Sequence, residues 1–187
     1  MTLPAAVCAR WRVHLPTALE TRVRAVGRAD HRDPWPSARA LDALLAAGAV
    51  RAGPPRAVGA GAGPPLIASQ QLRWEGVEVE VECVAMAEGV VESNLVAPPW
   101  DELARSAAGE EAWWELVDAF LAAVDARHGA LVDGEAVELE DPNPATLHAR
   151  LRRHLALLVP EWLAGAAGAA ADVYRTLPHS GLVVLLR

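Results

Sequence analysis

Hydrophobic and charged residues alternate strictly over residues 77–83, which read VEVEVEC. Successive side chains of a strand point to opposite faces, so the valines and the cysteine share one face and Glu78, Glu80 and Glu82 share the other. An AEG segment and a second run, VVESNLVAP, follow. The pattern predicts two antiparallel strands joined at the AEG segment, the first of which begins near Leu72.

The N-terminal part shows one strand pattern and then a helical one. Residues 9–15 read ARWRVHL, and their alternation predicts a half-buried strand with a basic polar face. After it, Thr17 is suited to cap a short helix that carries Leu19, Val23 and Val26. We expect this strand and helix to belong to the basic end of the chain.

A second helix is predicted a little further on. Ser37 is a suitable N-cap, Leu41, Leu44 and Leu45 form an apolar stripe, and Gly48 is suited to end the helix. The next stretch, RAGPPRAVGAGAGPP, has the composition of a linker or long surface loop.

The strongest helical pattern covers residues 110–127, and His128–Gly129 is expected to end it. Its apolar stripe consists of Trp113, Leu116, Val117, Phe120, Leu121 and Val124. Its outer face is expected to carry Glu111, Glu115, Asp118 and Asp125. The helix should therefore pack one side on the core and present acidic residues on the other.

The C-terminal part predicts one more helix between strands. The segment ALVDGEAVEL contains an Asp-Gly pair suited to a tight turn. Asn143 caps the next helix with Pro144 at its first position, a leucine stripe runs to Leu158, and Pro160 stops it. The segments ADVYRT and GLVVLLR then predict strands around a turn at 178–181. The unbroken apolar run near the end indicates a strand buried on both faces.

This order of elements predicts an α+β fold, a mostly antiparallel sheet with helices packed on one face. We divide the chain into a basic strand-helix-helix segment (1–50), a Gly/Ala/Pro linker or long loop (51–65) and an acidic α+β core (66–187). Residues 1–56 have nine arginines and four acidic residues, a net charge of +5, whereas residues 57–187 have eight and twenty, a net charge of −12. The acidic core should repel nucleic acid, which is therefore an unfavoured partner.

Composition narrows the class of protein further. The chain has 187 residues, 52% of them hydrophobic, and all seventeen basic residues are arginine, as is typical of GC-rich bacterial genomes. Cys8 and Cys83 form no C-x-x-C motif, so neither a disulfide framework nor a zinc site is predicted. No secretion signal is visible, and no apolar run reaches the roughly 18 residues that cross a bilayer. We expect a cytoplasmic protein that neither binds a membrane nor holds a cofactor.

The three glutamates on one face of residues 77–83 raise the question of a metal site. Alternate carboxylates along a strand are roughly 6.5 to 7 Å apart, so one ion cannot bind two of them without help from another strand. Glu92 and His14 are the available helpers for Glu80. The basic alternation of residues 9–15 is the competing explanation, because neighbouring strands with these patterns would pair charges across one face. We favour charge pairing or a solvated face.

Two other groups of residues are candidates for function. His179 and Ser180 have side chains suited to nucleophilic catalysis, but no G-x-S-x-G motif surrounds them and a turn role is favoured. Trp113 and Trp114 are about 100° apart on the helix, so either a wide stripe buries both or Trp114 is exposed. In the second case Trp114, Glu111 and Glu115 would form a partner-binding patch with an aromatic centre and an acidic margin.

With no motif for metal, phosphate or covalent chemistry, we expect a non-enzymatic protein that binds another protein, and the excess of acidic residues favours a basic partner. The layout of residues 72–187, with a strand pair, a Trp-bearing helix, the segment HGALVDGEAV and a closing strand after HSGL, resembles bacterial immunity proteins of polymorphic toxin systems. The resemblance implies neutralisation of a cognate toxin by covering its active site, and the acidic surface would suit a basic, nuclease-like target. The arginine-rich front third departs from this layout.

Two alternatives remain open. The chain could be a structural subunit of a larger assembly, held by its front segment, or a small Glu-dependent metal hydrolase centred on Glu80. The expected binding residues are Trp114, Glu111 and Glu115 on the helix and Glu78, Glu80 and Glu82 on the strand.

Overall fold

The computed structural model describes residues 20–28, 36–58, 67–85, 90–103, 109–133, 142–154 and 156–186. In these residues ten strands form one sheet, and every pair of neighbouring strands is antiparallel. The strands are β1 (Thr21–Arg28), β2 (Val50–Arg51), β3 (Arg56–Val58), β4 (Ile67–Trp74), β5 (Val77–Ala85), β6 (Val90–Ala97), β7 (His128–Asp133), β8 (Ala156–Pro160), β9 (Asp172–Leu177) and β10 (Leu182–Leu186). The helices are α1 (Pro36–Ala46), α2 (Trp100–Leu103), α3 (Gly109–Ala123), α4 (Leu147–Leu151) and α5 (Glu161–Ala164), and a 3₁₀ segment, Gly165–Ala170, follows α5. The predicted α+β class is confirmed.

The order of strands across the sheet places β1 near its middle. The order is β2, β4, β5, β6, β1, β7, β8, β10, β9, and β3 pairs with β4 beside β2. β1 pairs with β6 on one side and with β7 on the other. A strand from the basic N-terminal segment is therefore built into the same sheet as the strands of the acidic part.

One face of the sheet, which we call the inner face, packs under α1 and α3. Its side chains include Val79 and Val81 of β5 and Leu95 of β6, and all three are buried. Phe120 of α3 and Leu44 of α1 join them in a single hydrophobic cluster. Burial of these branched and aromatic side chains is the main force that holds the long helices on the sheet.

The opposite face, the outer face, is covered only in part by the described helices. Helix α5 packs on β8 and β10, and α4 packs on β8 and the 3₁₀ segment, which creates a second hydrophobic cluster. Val183 belongs to this cluster and Val184 to the first one. The predicted two-sided burial of the last strand is thereby confirmed, whereas on β3, β4 and β5 the outer face is largely polar.

The helix predicted after Thr17 is wrong, because residues 21–28 form strand β1. Val23 and Ala25 alternate with Arg22 and Arg24, and the first two point into the inner core. The spacing of Val23 and Val26 also fits one helical turn, which is why the pattern was ambiguous. Pairing on both sides decides in favour of the strand.

The sheet also extends into the predicted linker. β2 and β3 pair with β4, so part of residues 51–65 is strand rather than loop. The first strand of the predicted pair is in fact a hairpin of β4 and β5, closed by Glu75 and Gly76 with φ of 48° and 84°. Two positive φ values characterise the two-residue turns that match strand twist, and the prediction of a single strand from Leu72 onward was wrong here.

Helix α3 is shorter than predicted at its C-terminal end. It ends at Ala123, Asp125 adopts φ of 51°, and His128–Gly129 begins β7 instead of ending the helix. A Cβ atom at Gly129 would lie 2.4 Å from the carbonyl oxygen of Arg24. The glycine is therefore required by close contact between β7 and β1, not by a helix end.

The predicted long helix before Pro160 is also wrong. Asn143 stabilises the turn before the helix, because its Oδ1 accepts hydrogen bonds from the N–H groups of Ala145 and Thr146 at 3.0 and 3.1 Å, but the N-cap residue of α4 is Thr146. However, α4 is only five residues long, and Leu158 lies in β8. Residues 156–159 are buried as a strand between β7 and β10, so the leucine spacing fitted a helix by coincidence.

Several other predictions are confirmed. Helix α1 is present with Gly48 after its end at φ of 92°, although it begins at Pro36, so the prediction of Ser37 as its N-cap is wrong. β5 and β6 form the predicted antiparallel pair, and a turn joins β9 to β10. The strand predicted at residues 9–15, and its pairing in the sheet of β5, lie outside the described residues. No helix within the described ranges is long and apolar enough to span a membrane.

Candidate functional site

The glutamates of β5 lie side by side on the outer face, as the alternation predicted. Glu78 is opposite Arg73 of β4, and Glu80 is opposite Gln71 of β4 and Val96 of β6. Because directly opposed residues of an antiparallel pair share a face, these side chains form one polar surface. The structure brings Glu78, Glu80 and Glu82 together there, but places Glu111, Glu115 and Trp114 on α3, which covers the inner face.

Arg22 of β1 reaches across β6 to the end of this row. Its guanidinium donates to Glu82 at 2.9 Å and to Glu20 at 2.9 and 3.1 Å. Burial raises the pKa of Glu82, and the positive charge of Arg22 opposes that rise. Glu82 therefore has a structural role, since its carboxylate is held by a side chain from another strand.

A second cross-strand ion pair lies next to the first. Arg24 of β1 donates from Nε and Nη2 to the two carboxylate oxygens of Glu92 at 3.0 and 2.8 Å. Arg24 is only 6% exposed, and this two-pronged geometry is the strong form of an arginine-carboxylate pair. Arginines therefore do pair with glutamates across one face, but the donors are Arg22 and Arg24. The alternation TRVRAV was the signal that could have identified them. The pairing expected from residues 9–15 lies outside the described residues and stays a prediction.

The remaining glutamates border an open groove of about 310 Å³. Its polar walls are Glu20, Gln71, Arg73, Glu78 and Glu80, and Val96 contributes to its lining. Arg73 and Glu78 approach only to 4.0 Å, and both side chains are largely exposed. Glu80 makes no ion pair with any residue in the described ranges. Because Glu20 is paired with Arg22, the carboxylates of Glu78 and Glu80 against the guanidinium of Arg73 leave the groove acidic.

The arrangement does not gather ligands for a metal ion. No group of three His, Cys, Asp or Glu side chains in the described ranges is placed to hold one. Glu92 is opposite Val84 and Glu80 is opposite Val96, so the two carboxylates are offset by four residues of β6, about 13 Å. Glu92 is moreover bonded to Arg24, and His14 lies outside the described residues.

Trp114 does not form an exposed patch. It is 1% exposed, as is Trp113, so the wide stripe that buries both rings is confirmed and the exposed aromatic centre is wrong. Trp114 packs against Tyr174 of β9 with ring centroids 6.0 Å apart, and Trp113 packs against Trp74 of β4 at 6.2 Å. Glu115 is exposed, and whether it meets a partner stays a prediction.

The acidic residues at the start of α3 bind β9. Glu110 accepts hydrogen bonds from the hydroxyl of Tyr174 and, at 3.4 Å, from Nε1 of Trp114. Arg175 donates to Glu111 at 2.9 Å, and this hydrogen bond lowers the pKa of Glu111. Of the surface predicted to meet a partner protein, Trp114 is thus buried against β9 and Glu111 is paired with Arg175 of the same strand.

Asp118 was predicted on the outer side of α3 but is 2% exposed. Its carboxylate accepts hydrogen bonds from the N–H groups of His179 and Ser180 at 3.0 and 2.9 Å, and from the Ser180 hydroxyl at 2.7 Å. His179 contributes its backbone, and its ring makes no hydrogen bond within the described part of the chain. The favoured turn role for this pair is confirmed, with Asp118 as the group that fixes the turn.

The only signal for Asp118 in the sequence was its spacing of four residues from Trp114, which places both on one side of α3.

No protein-family model, curated protein or solved structure matches this chain. The case for function therefore rests on the geometry of the outer face.

Proposed function

We propose that this chain is a non-enzymatic protein that binds a basic partner protein through Glu78 and Glu80 of β5, in the manner of an immunity protein that neutralises a toxin. The observation that carries the proposal is the groove beside Glu78 and Glu80. Glu80 has no ion-pair partner in the described residues, and Glu78 has only a long, exposed contact with Arg73.

Position in the fold supports the same role. β5 is hydrogen-bonded to β4 on one side and to β6 on the other, so its side chains stand on a rigid support. Since the backbone under these carboxylates is already ordered, only side-chain rotamers have to be fixed when a guanidinium or ammonium group of a partner approaches. The net charge of the chain, −7, also attracts a basic partner over longer distances.

The test begins with affinity purification of the chain from its native host and identification of the captured protein by mass spectrometry. Association is then measured for wild type and for a Glu78→Gln, Glu80→Gln double variant. We expect association about ten-fold slower in the double variant, with a flatter dependence on salt, because rim charges act mainly on the encounter rate. Glu161→Gln, an exposed change on α5, is the matched control and should leave the rate unchanged.

Capture of no protein, or of one that binds the double variant as fast as wild type, would contradict the proposal. The immunity role makes a further demand. A captured toxin should lose its activity when one equivalent of the chain is added. Full activity at saturating chain would leave the binding role in place and remove the immunity role.

A further inference from the structure

The exposed apolar side chains of this protein are concentrated at one edge of the sheet. Five large hydrophobic side chains in the described residues are exposed, and three of them, Val50, Val58 and Ile67, lie on β2, β3 and β4. The other two are Trp162 on α5 and Val173 on β9. Isolated exposed apolar residues are normal, so the grouping of three near one edge is the informative feature.

Strand register places these residues on the outer face. Val58 is directly opposite Ile67, and Ile67 is directly opposite Val84 of β5, so the three form an apolar row across three strands. Val50 is opposite Arg73 at the other end of β4. The row spans about 10 Å, because neighbouring strands are ~4.8 Å apart.

The apolar row and the acidic groove are two ends of the same surface. Along β5, Val84 and Glu78 are separated by six residues, or about 20 Å at ~3.3 Å per residue. Between them Glu82 is held by Arg22. A molecule that contacts both ends therefore meets apolar side chains at one end and, at the other, the carboxylates of Glu78 and Glu80, which have no close ion pair in the described residues.

We infer that this edge of the outer face, formed by Val58, Ile67 and Val84 together with Glu78 and Glu80, docks an extended protein segment that has an apolar side chain and a basic side chain about six residues apart. The inference rests on the proposed function and specifies the partner chemistry. Charge selects the occupant, because the groove would reject an acidic segment and would seat a guanidinium or ammonium group. Binding of an apolar side chain to the exposed row is favourable because it removes apolar surface from water.

The probe is a synthetic nine-residue peptide with leucine at position 2, arginine at position 8, serine and threonine elsewhere, and blocked ends. Two matched peptides replace the leucine by serine or the arginine by glutamine. Binding is followed by NMR chemical-shift changes of the valine and isoleucine methyl groups. We expect the full peptide to bind about ten-fold more tightly than either matched peptide and to shift the signals of Ile67 and Val84.

Variants of the protein assign each end of the surface. Val58→Ser should reduce the affinity for the full peptide to that for the leucine-free peptide, whereas Val173→Ser, an equally exposed valine at the far edge of the sheet, should not. The Glu78→Gln, Glu80→Gln double variant should remove the advantage of arginine, and Glu161→Gln should not. Thermal unfolding within a few degrees of wild type shows that each variant remains folded.

Equal binding of the three peptides, methyl shifts away from this edge, or loss of affinity in Val173→Ser as large as in Val58→Ser would overturn the inference. Its failure is separable from that of the proposed function. A native partner whose capture depends on Glu78 and Glu80 but is unaffected by Val58→Ser and Ile67→Ser leaves the proposed function standing and removes the apolar half of this surface.

Discussion

Two acidic regions of this protein look alike in sequence and differ in what the fold does with them. On α3, Glu110, Glu111 and Asp118 bind Tyr174, Arg175 and the turn after β9. On β5, only Glu82 is held by a close ion pair, whereas Glu78 and Glu80 border an open groove. Acidic residues are thus available to a partner only where the fold leaves them without donors.

The difference follows from what lies beside each element. Helix α3 runs alongside β9, so side chains at successive turns reach a tyrosine, an arginine and two backbone N–H groups. The outer-face neighbours of Glu80 are Gln71 and Val96, neither of which is charged. The arginines of β1 are two strands away, and they engage Glu82 and Glu92 first.

The largest expected effect is in the buried aromatic centre of α3. Trp114→Ala should lower the free energy of unfolding by about 4 kcal/mol, because it leaves a cavity in the core between α3 and β9. Urea denaturation measures the loss, and Trp162→Ala, at 72% exposure, is the control with an expected change below about 0.5 kcal/mol. Similar small losses in both variants would mean that α3 does not pack on β9 as described.

Asp118 should follow Trp114 in the size of its effect. Asp118→Ala removes a buried carboxylate that accepts three hydrogen bonds, and we expect a loss of about 3 kcal/mol in unfolding free energy. Ser180→Ala removes one of these donors and should cost about 1 kcal/mol. Glu115→Ala, an exposed change on the same helix, serves as the control, and a cost equal to that of Asp118→Ala would refute the assignment.

The ion pair of Glu111 with Arg175 should contribute less and should depend on pH. The Glu111 side chain is 70% exposed, so Glu111→Gln is expected to lower the free energy of unfolding by about 0.5 kcal/mol at neutral pH. The pKa of Glu111 is lower in the folded chain, so its contribution is present above the unfolded value and is lost as pH falls through the folded value. The difference in unfolding free energy between wild type and variant should therefore shrink as the pH falls below the unfolded pKa and vanish once Glu111 is protonated in the folded chain, and a difference that does not change with pH would contradict the pairing.

The smallest effect on stability is expected in the groove. Glu78→Gln and Glu80→Gln should each change the unfolding free energy by less than about 0.5 kcal/mol, because neither carboxylate has a close partner in the described residues. Glu82→Gln, which breaks a partly buried pair with Arg22, is the comparison on the same strand and should cost more. A loss at Glu80 as large as at Glu82 would place Glu80 among the structural residues.

Local patterns predicted the elements whose neighbours lie close in the chain. The alternation of VEVEVEC placed β5 correctly, and the apolar run near the C-terminus identified β10 as a strand buried on both faces. The patterns failed where the same apolar spacing fits both the period of a helix and that of a strand. Val23 and Val26 fit a helix turn as well as a strand, and the spacing of Leu151 and Leu158 fits a helix although Leu158 belongs to β8.

The candidate site could be predicted only in part for a similar reason. The common face of Glu78, Glu80 and Glu82 follows from strand geometry alone. Which of them is neutralised depends on Arg22, sixty positions from Glu82. In the same way Trp114 was buried by Tyr174 of β9, and Glu111 was paired by Arg175, sixty-four positions away. No local rule reports contacts at such separations.

The place of β1 in the sheet has a consequence for how the chain is made. A ribosome releases residues 21–28 before both of their partner strands, β6 at 90–97 and β7 at 128–133. Until Asp133 has emerged, the nascent strand has at least one open edge and its valines have no completed core to enter. Closure of such a distant pairing is slow compared with local hairpins. A chain interrupted before that point lacks β7 to β10, so β1 is left as an edge strand of the remaining sheet.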